Sequence, residues 1–314
     1  MTRILITPRS LTALRPAELT PLTEAGYDLV WAKAGETPTP EDLTSLLPGC
    51  VGWLAGVEPV PAEVIRAASA LRAISRNGVG TDNLPLAECE ARGVQVLRAE
   101  GANAIGVAEL AVSLMLSLSR HIPETDHSVK SGGWLRRRGA EISGRTVGIV
   151  GMGAIGAHVA RVVVAMGAKV LAYDPFPRDP GLHPALFSFS PFEELLRSAD
   201  LISLHAPART DGAPLLGAAE LALLPVGALV VNTARASLVD EQAMKAALAS
   251  GAVGGYGTDV FAEEPPRDLT LAGDPNVIAT SHIGALTAES VSRATSIAVR
   301  NLIRALGPAA GAPA

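Results

Sequence analysis

Between Thr146 and Asp174 the chain reads TVGIV, then GMGAIG, then an apolar run to Met166, then KVLAYD. A β-branched run that feeds a glycine turn and a helix, followed by a second such run, folds as a right-handed βαβ unit with parallel strands. Parallel strands need cover on both faces, so this stretch commits its surroundings to a sheet between two helical layers. Gly151, Gly153 and Gly156 have GxGxxG spacing, which alone is a weak signal. The context strengthens it: a strand before, a helix after, and an acid, Asp174, 18 residues past Gly156 at the end of the next strand. In a dinucleotide fingerprint the first glycine permits the tight turn, the second lets the backbone approach a pyrophosphate, and the third packs helix against strand. The helix beginning at Ala154 and Ile155 then offers free N–H groups and a positive dipole end to phosphates. Asp174 is expected to accept hydrogen bonds from ribose hydroxyls and to repel a 2′-phosphate, with no basic residue in YDPFP, which favours NAD over NADP. The bland alternative is a tight turn in an ordinary parallel sheet.

The same alternation runs along the rest of the chain. The first hundred residues carry ILIT, YDLVW, VGWLA, LRAIS and VQVL, separated by amphipathic stretches. A second series follows TVGIV with KVLAY, LISLH, ALVVN and VGGYGTDV. Between them lies a long helical pattern from Ala104 to about Arg120, then an arm rich in polar residues and glycine, HIPETDHSVKSGGWLRRRGAEISG. A final helical pattern, Ala288 to Leu306, has no strand of its own and is expected to return to the first series. Two domains are therefore expected in 314 residues: 1–98 with 287–314, and 99–286. The tail GPAAGAPA is expected to fray.

Composition excludes several classes. With 48% apolar and 18% charged residues the chain has the makings of a large packed core. A net charge of −5 argues against a nucleic-acid surface, and the one basic cluster, Arg136-Arg137-Arg138, reads as a solvated turn. Cys50 and Cys89 have no CxxC or Cys/His spacing, so neither a disulfide framework nor a metal site is expected, and a cytoplasmic location fits. MTRILITPRS is too soon broken by Pro8 to read as a signal peptide, and the longest apolar stretch, Ile105 to Leu118, carries Glu109. No membrane association is expected.

Hydride exchange with a hydroxy acid needs a cation for the carboxylate, a group that exchanges the hydroxyl proton, and a partner that orients that group. VVNTARAS places Arg235 just past a strand, where open α/β sheets bind ligands, and its planar fork suits a carboxylate. TSHIGA places His282 after the short run VIAT, and DVFAEEPP places Glu263 or Glu264 on a proline-fixed loop. A carboxylate beside an imidazole favours the charged ring and fixes its tautomer. Taken singly, an arginine after a strand is more often a surface ion pair, and a histidine a satisfied structural one.

Six ordered segments, RNGVGTDNLPL, ANAIGVAEL, GRTVGIVGMGAIG, NTARASLVDEQAM, GTDVFAEEPP and TSHIGALT, carry a resemblance that runs nearly end to end. The chain resembles the D-isomer-specific 2-hydroxyacid dehydrogenases, which include D-lactate, glyoxylate/hydroxypyruvate and 3-phosphoglycerate dehydrogenases. The resemblance implies an α/β chain of two Rossmann-like doubly wound parallel-sheet domains, a discontinuous substrate domain and an NAD-binding domain. It assigns catalysis to Arg235, Glu264 and His282, and the substrate carboxylate to the loop Asn77, Gly78, Val79 and Gly80, with Asn103 nearby. Asp259 is expected to face the nicotinamide carboxamide, and Thr233 and Pro207 to flank the cofactor. Val107, His205, Ala206, Thr210, Ala234 and Gly284 complete the expected cofactor set. The resemblance also implies a homodimer joined through the helix from Ala104 and the arm to Arg138, and a cleft that closes about hinges near Leu97 to Asn103 and Gly284 to Thr287.

Three departures qualify the resemblance. Ala236 stands where glycine is usual, and Gly106 where serine is frequent; neither removes a reactive group. The 3-phosphoglycerate members usually carry an arginine in the segment matching Leu54 to Val60, whereas LAGVEPV has Glu58 and no cation. Neither a regulatory domain after the last helix nor serine feedback through one is expected. The sequence thus reads as an NAD-dependent reductase of a small 2-keto acid, with 3-phosphoglycerate dehydrogenase as the alternative. A binding-class rival is the NAD(H)-sensing co-repressors that resemble these enzymes. The formate dehydrogenase branch, which has glutamine where this chain has Glu264, is a further rival.

Overall fold

The computed structural model describes residues 2–309; positions 310–314 of the tail expected to fray lie outside the described residues. The chain divides into two compact units, one running through Asn103 and resuming at Thr287, the other Ala104–Leu286. The first crossing follows Asn103 and not residue 98, because Ala99 and Ala102 are buried against Ala294 of the final helix.

The first unit holds five parallel strands: β1 (Arg3–Ile6), β2 (Asp28–Trp31), β3 (Cys50–Ala55), β4 (Ala73–Arg76) and β5 (Gln95–Leu97). Their order is β2-β1-β3-β4-β5, so the sheet reverses direction between β1 and β3. Every residue of β4 and five of the six in β3 are buried, as a strand covered on both faces requires. One face packs Leu43, Trp53, Val64, Ile65 and Ile74. The other is closed by the helix Ala288–Leu306, whose Ala298, Val299, Leu302 and Leu306 meet Ile4, Ile6, Leu22 and Leu54. That helix starts where the Thr287 side chain accepts the Ser290 N–H at 3.1 Å, satisfying one of its open donors. Residues 307–309 are tied down, since Ala309 N–H donates to Ala25 O at 2.9 Å and Tyr27 donates to Gly307 O.

The second unit holds seven parallel strands: β6 (Thr146–Val150), β7 (Lys169–Tyr173), β8 (Phe187–Phe189), β9 (Leu201–Leu204), β10 (Ala228–Asn232), β11 (Val253–Thr258) and β12 (Val277–Ala279). The order β12-β11-β10-β9-β6-β7-β8 reverses between β6 and β9, which makes their carboxyl ends the topological switch point. On one face the helix Ala104–Arg120 buries Ala108, Ala111, Leu114, Met115 and Leu118 together with Val159, Ala160 and Val163 of the helix Ala154–Ala165. No single described helix is long and apolar enough to cross a membrane.

Two elements differ from the sequence reading. The arm after Arg120 opens with a further helix, Ile122–Lys130, set off by His121 at φ 51°; none of its residues is buried, so it has no apolar stripe to announce it. At the far edge β8 adds three residues beyond β7, half-exposed and too short to show alternation.

Candidate active site

At the switch point the glycines of the fingerprint have separate steric tasks. Gly151 has φ +95°, and a Cβ there would stand 2.7 Å from the Ala206 nitrogen, because β6 and β9 are still paired up to the residues just before the two turns. A Cβ on Gly156 would lie 2.0 Å from the Gly151 carbonyl oxygen, so helix and turn touch only through glycine. Around Gly153 a Cβ would meet nothing within 4 Å, which leaves the N-terminus of the helix Ala154–Ala165 open. No side chain caps that end, and the amides of Ala154 and Ile155 are available to an anion.

Asp174 follows β7 and closes the turn. Its carboxylate accepts the Met152 N–H at 2.7 Å and the Phe176 N–H at 2.8 Å. The cavity beside it, about 420 Å³, is lined by Met152, Gly153, Ala154 and Asp174, and also by Arg161, Phe176 and Arg178. No basic residue stands in YDPFP, yet two arginines outside it line this cavity. Arg178 lies one residue past YDPFP, and Arg161 shares a helical face with Ala154 and Ala157 at i, i+3, i+7 spacing. Phe176, 80% exposed, lines the same cavity.

Two buried polar atoms around the switch point have no protein partner among the described residues, His205 Nδ1 and Thr233 Oγ1. His205 directly follows β9, and its Nε2 lies 2.9 Å from Ser203 Oγ. Desolvation brings the His205 ring down to about 4, so it is neutral near pH 7. Orphaned polar atoms beside an open helix N-terminus, a surface kept bare at Gly153, and a carboxylate at the end of β7 fit a dinucleotide. Ala206 and Ala234 line the same strand ends, with Pro207 and Thr210 exposed beyond them.

The three side chains expected to be catalytic follow three adjacent strands, Arg235 after β10, Glu264 after β11 and His282 after β12. Asn232, fully buried at the end of β10, shapes the first turn: its Oδ1 accepts the Ala234 N–H at 3.0 Å and its Nδ2 donates to Arg235 O at 2.9 Å. The Arg235 guanidinium donates to Ala234 O at 2.7 Å. His282 Nδ1 meets Glu264 Oε2 at 2.8 Å and Oε1 at 2.9 Å. An ionised carboxylate only accepts, so Nδ1 is the donor in this pair. The sequence left Glu263 and Glu264 open on spacing; Glu263 pairs with Arg267 at 2.8 Å instead.

His282 sits at φ 55°, a left-handed conformation unusual for a residue with a Cβ and commonest at functional sites. Asp259 holds it there. The Asp259 carboxylate, 2% exposed, accepts from Thr280 Oγ1 at 2.6 Å, Ile283 N–H at 2.8 Å and Gly284 N–H at 2.8 Å. Three of its roughly four acceptor positions thus grip the His282 loop. A Cβ on Gly284 would come within 3.3 Å of Val107 on the helix Ala104–Arg120. Sequence reading missed Asn232 and Thr280, whose roles are hydrogen bonds to loops.

In the first unit Asn77, Gly78, Val79 and Gly80 follow β4 as a half-buried loop, and Asn103 ends the unit, also half-buried. Among the described residues, no protein acceptor takes the amides of Gly78, Val79 or Gly80.

A parallel sheet with a bare glycine turn at its switch point, an acid closing the turn, and an imidazole–carboxylate pair and an arginine delivered by adjacent strands together define a dinucleotide-dependent dehydrogenase. Residues 112–284 match the family model described as D-isomer specific 2-hydroxyacid dehydrogenase, NAD binding domain. The chain belongs to this family of NAD-dependent oxidoreductases. It is 38% identical to a hydroxypyruvate reductase of Thermotoga maritima over 79% of this chain and 82% of that one. It is 40% identical to a D-3-phosphoglycerate dehydrogenase of Archaeoglobus fulgidus over 74% of this chain but only 44% of that one. A glyoxylate reductase crystal structure from Paecilomyes thermophila superposes with a TM-score of 0.86 at 26% identity, covering 98% of this chain and 95% of the other.

Proposed function

We propose that the chain reduces a small 2-keto acid, glyoxylate or hydroxypyruvate, to the D-2-hydroxy acid. The observation that carries this reading is the His282–Glu264 pair at 2.8 Å, next in sheet order to the strand that delivers Arg235. NAD(H) supplies the hydride chemistry when bound, and Gly151, Gly153, Ala154, Asp174, His205 and Thr233 are the residues that hold it. In reduction His282 Nε2 gives a proton to the forming hydroxyl oxygen; in oxidation it takes that proton back. Glu264 keeps the ring in the tautomer that leaves Nε2 on the reacting side. Arg235 binds the carboxylate through its fork and polarises the neighbouring carbonyl, so a simple ketone is a poor substrate. The loop Asn77 to Gly80 adds amide donors to the carboxylate. We assign the chain to the cytoplasm as a homodimer, with neither nucleic acid nor membrane as partner, on the charge balance, the cysteine pattern and the exposed apolar residues of the arm.

A second reading, reduction of 3-phosphohydroxypyruvate, is favoured by the D-3-phosphoglycerate dehydrogenases among the relatives and by Arg136 and Arg138 in the exposed arm. Arg137 is occupied by Glu124 at 2.6 Å. NADH oxidation across a panel of 2-keto acids decides between them. The first reading expects glyoxylate or hydroxypyruvate to lead. If 3-phosphohydroxypyruvate exceeds hydroxypyruvate by roughly 100-fold in kcat/KM, equivalent to about 2.7 kcal/mol, the second reading holds. Replacing Arg136 and Arg138 by alanine then locates the phosphate site by removing that margin.

A further inference from the structure

The first unit buries a pair of opposite charges that no step above uses. Glu58 is 1% exposed and Arg76 is 6% exposed. A line of hydrogen bonds joins them to the core. Trp53 Nε1 donates to Thr7 Oγ1 at 2.9 Å, Thr7 donates in turn to Glu58 Oε1, and Gly56 N–H donates to the same Glu58 oxygen at 2.9 Å. On the far side of that peptide the Ala55 carbonyl accepts from Arg76 Nη1 at 3.2 Å, and the same Nη1 donates to the next carbonyl, Gly56 O. The remaining edge of the guanidinium reaches forward, Nε donating to Gly80 O at 2.7 Å. Burial presses against the Arg76 charge, and Glu58 and Asp82 favour it.

The last bond fixes the orientation of the loop. In a trans peptide the N–H points opposite to the C=O. Gly78 O is anchored by the Ala99 N–H at 2.9 Å and Gly80 O by Arg76 at 2.7 Å, which turns the amides of Val79 and Thr81 the other way. Neither amide has a protein acceptor among the described residues. Donors aimed in advance at an anion lower the cost of binding it, because nothing has to be reorganised.

We propose that Arg76 is a positioning residue for the substrate carboxylate: seated on the Ala55–Gly56 peptide that Glu58 holds, it fixes the Gly80–Thr81 peptide so that the Thr81 N–H joins those of the preceding loop as a donor. This rests on reading the chain as a 2-keto acid reductase. The residue does not touch the reacting atoms, so its loss appears in substrate binding more than in turnover. Lysine keeps the charge but lacks the fork that reaches Ala55, Gly56 and Gly80 together. With hydroxypyruvate and NADH, Arg76→Lys is expected to raise KM by roughly 10-fold or more while kcat changes far less. The Kd of NADH, bound through the second unit, stays at the wild-type value, and the Kd of oxamate rises with KM. A wild-type KM in a variant with intact NADH binding overturns the proposal, as does a lowered unfolding midpoint with KM unmoved. Should Arg76→Lys fail to fold, Glu58→Gln removes only the counter-charge, and a KM rise of about 3-fold is expected; an unchanged KM there overturns it equally. A wild-type protein that neither turns over 2-keto acids nor binds oxamate defeats the functional reading and this proposal with it, whereas wild-type turnover with an insensitive Arg76→Lys defeats the proposal alone.

Discussion

At the scale of single residues the site divides into groups that react and groups that hold them. The proposed function puts His282 in the first, and on that reading His282→Gln is expected to lower kcat by roughly 10²–10⁴-fold, the usual size of general acid–base catalysis. Stopped-flow turnover checks this, and a variant at full rate with chemistry limiting removes His282 from the role. Cofactor choice is a balance of neighbours. Asp174 disfavours a 2′-phosphate, so NADH is expected to exceed NADPH in kcat/KM, and Asp174→Ala to narrow the gap at least about 10-fold. Arg161 and Arg178, exposed in the same cavity, pull the other way by the modest amount exposed cations contribute. Replacing both by alanine is expected to cost NADPH a few-fold and NADH little; equal wild-type constants for the two cofactors count against Asp174. The fingerprint glycines, Arg235 and His282 could be read from sequence because local sterics and chemistry dictate them at fixed spacing. Glu58 and Arg76 could not, because their bonds close over long separations: Thr7 meets Glu58 51 residues away, and Arg76 meets the Gly56 carbonyl 20 residues away.

At the scale of elements, legibility followed burial. Strands β3, β4, β6 and β9 read clearly as apolar runs because both their faces are covered. The helix Ile122–Lys130 has no buried residue and β8 is an edge of three, so neither left a period to detect. The unburied arm is informative for that very reason. Ile122, Val129 and Trp134 are exposed, Trp134 to 81%, in a short span of chain. The proposed homodimer is expected to cover these side chains. Light scattering is expected to give the mass of two chains at micromolar concentration, and replacing Ile122, Val129 and Trp134 by serine to shift it toward one. A wild-type mass of one chain contradicts the homodimer.

At the scale of the whole molecule, acid stability is tied to the cofactor site. The neutral His205 ring titrates near 4 in the fold and near 6.5 in the unfolded chain, so the unfolded chain takes up its proton first as pH falls. Its share of stability is complete above about pH 6.5 and drains away down to about pH 4, by roughly 3 kcal/mol at most. Denaturant unfolding of the cofactor-free protein between these limits, compared with His205→Gln, is expected to show a shallower fall in the variant; parallel curves sink the assignment. A different consequence follows from the helix Ala288–Leu306, which closes one face of the first sheet although it comes last in the chain. On the ribosome the residues through Asn103 emerge first, yet Ile4, Leu22 and Leu54 stay uncovered until Leu302 and Leu306 have left the exit tunnel. The unbroken segment Ala104–Leu286 has all its strands by then. The half of the molecule made first is therefore finished second, and its bare sheet face is what a chaperone meets in the interval.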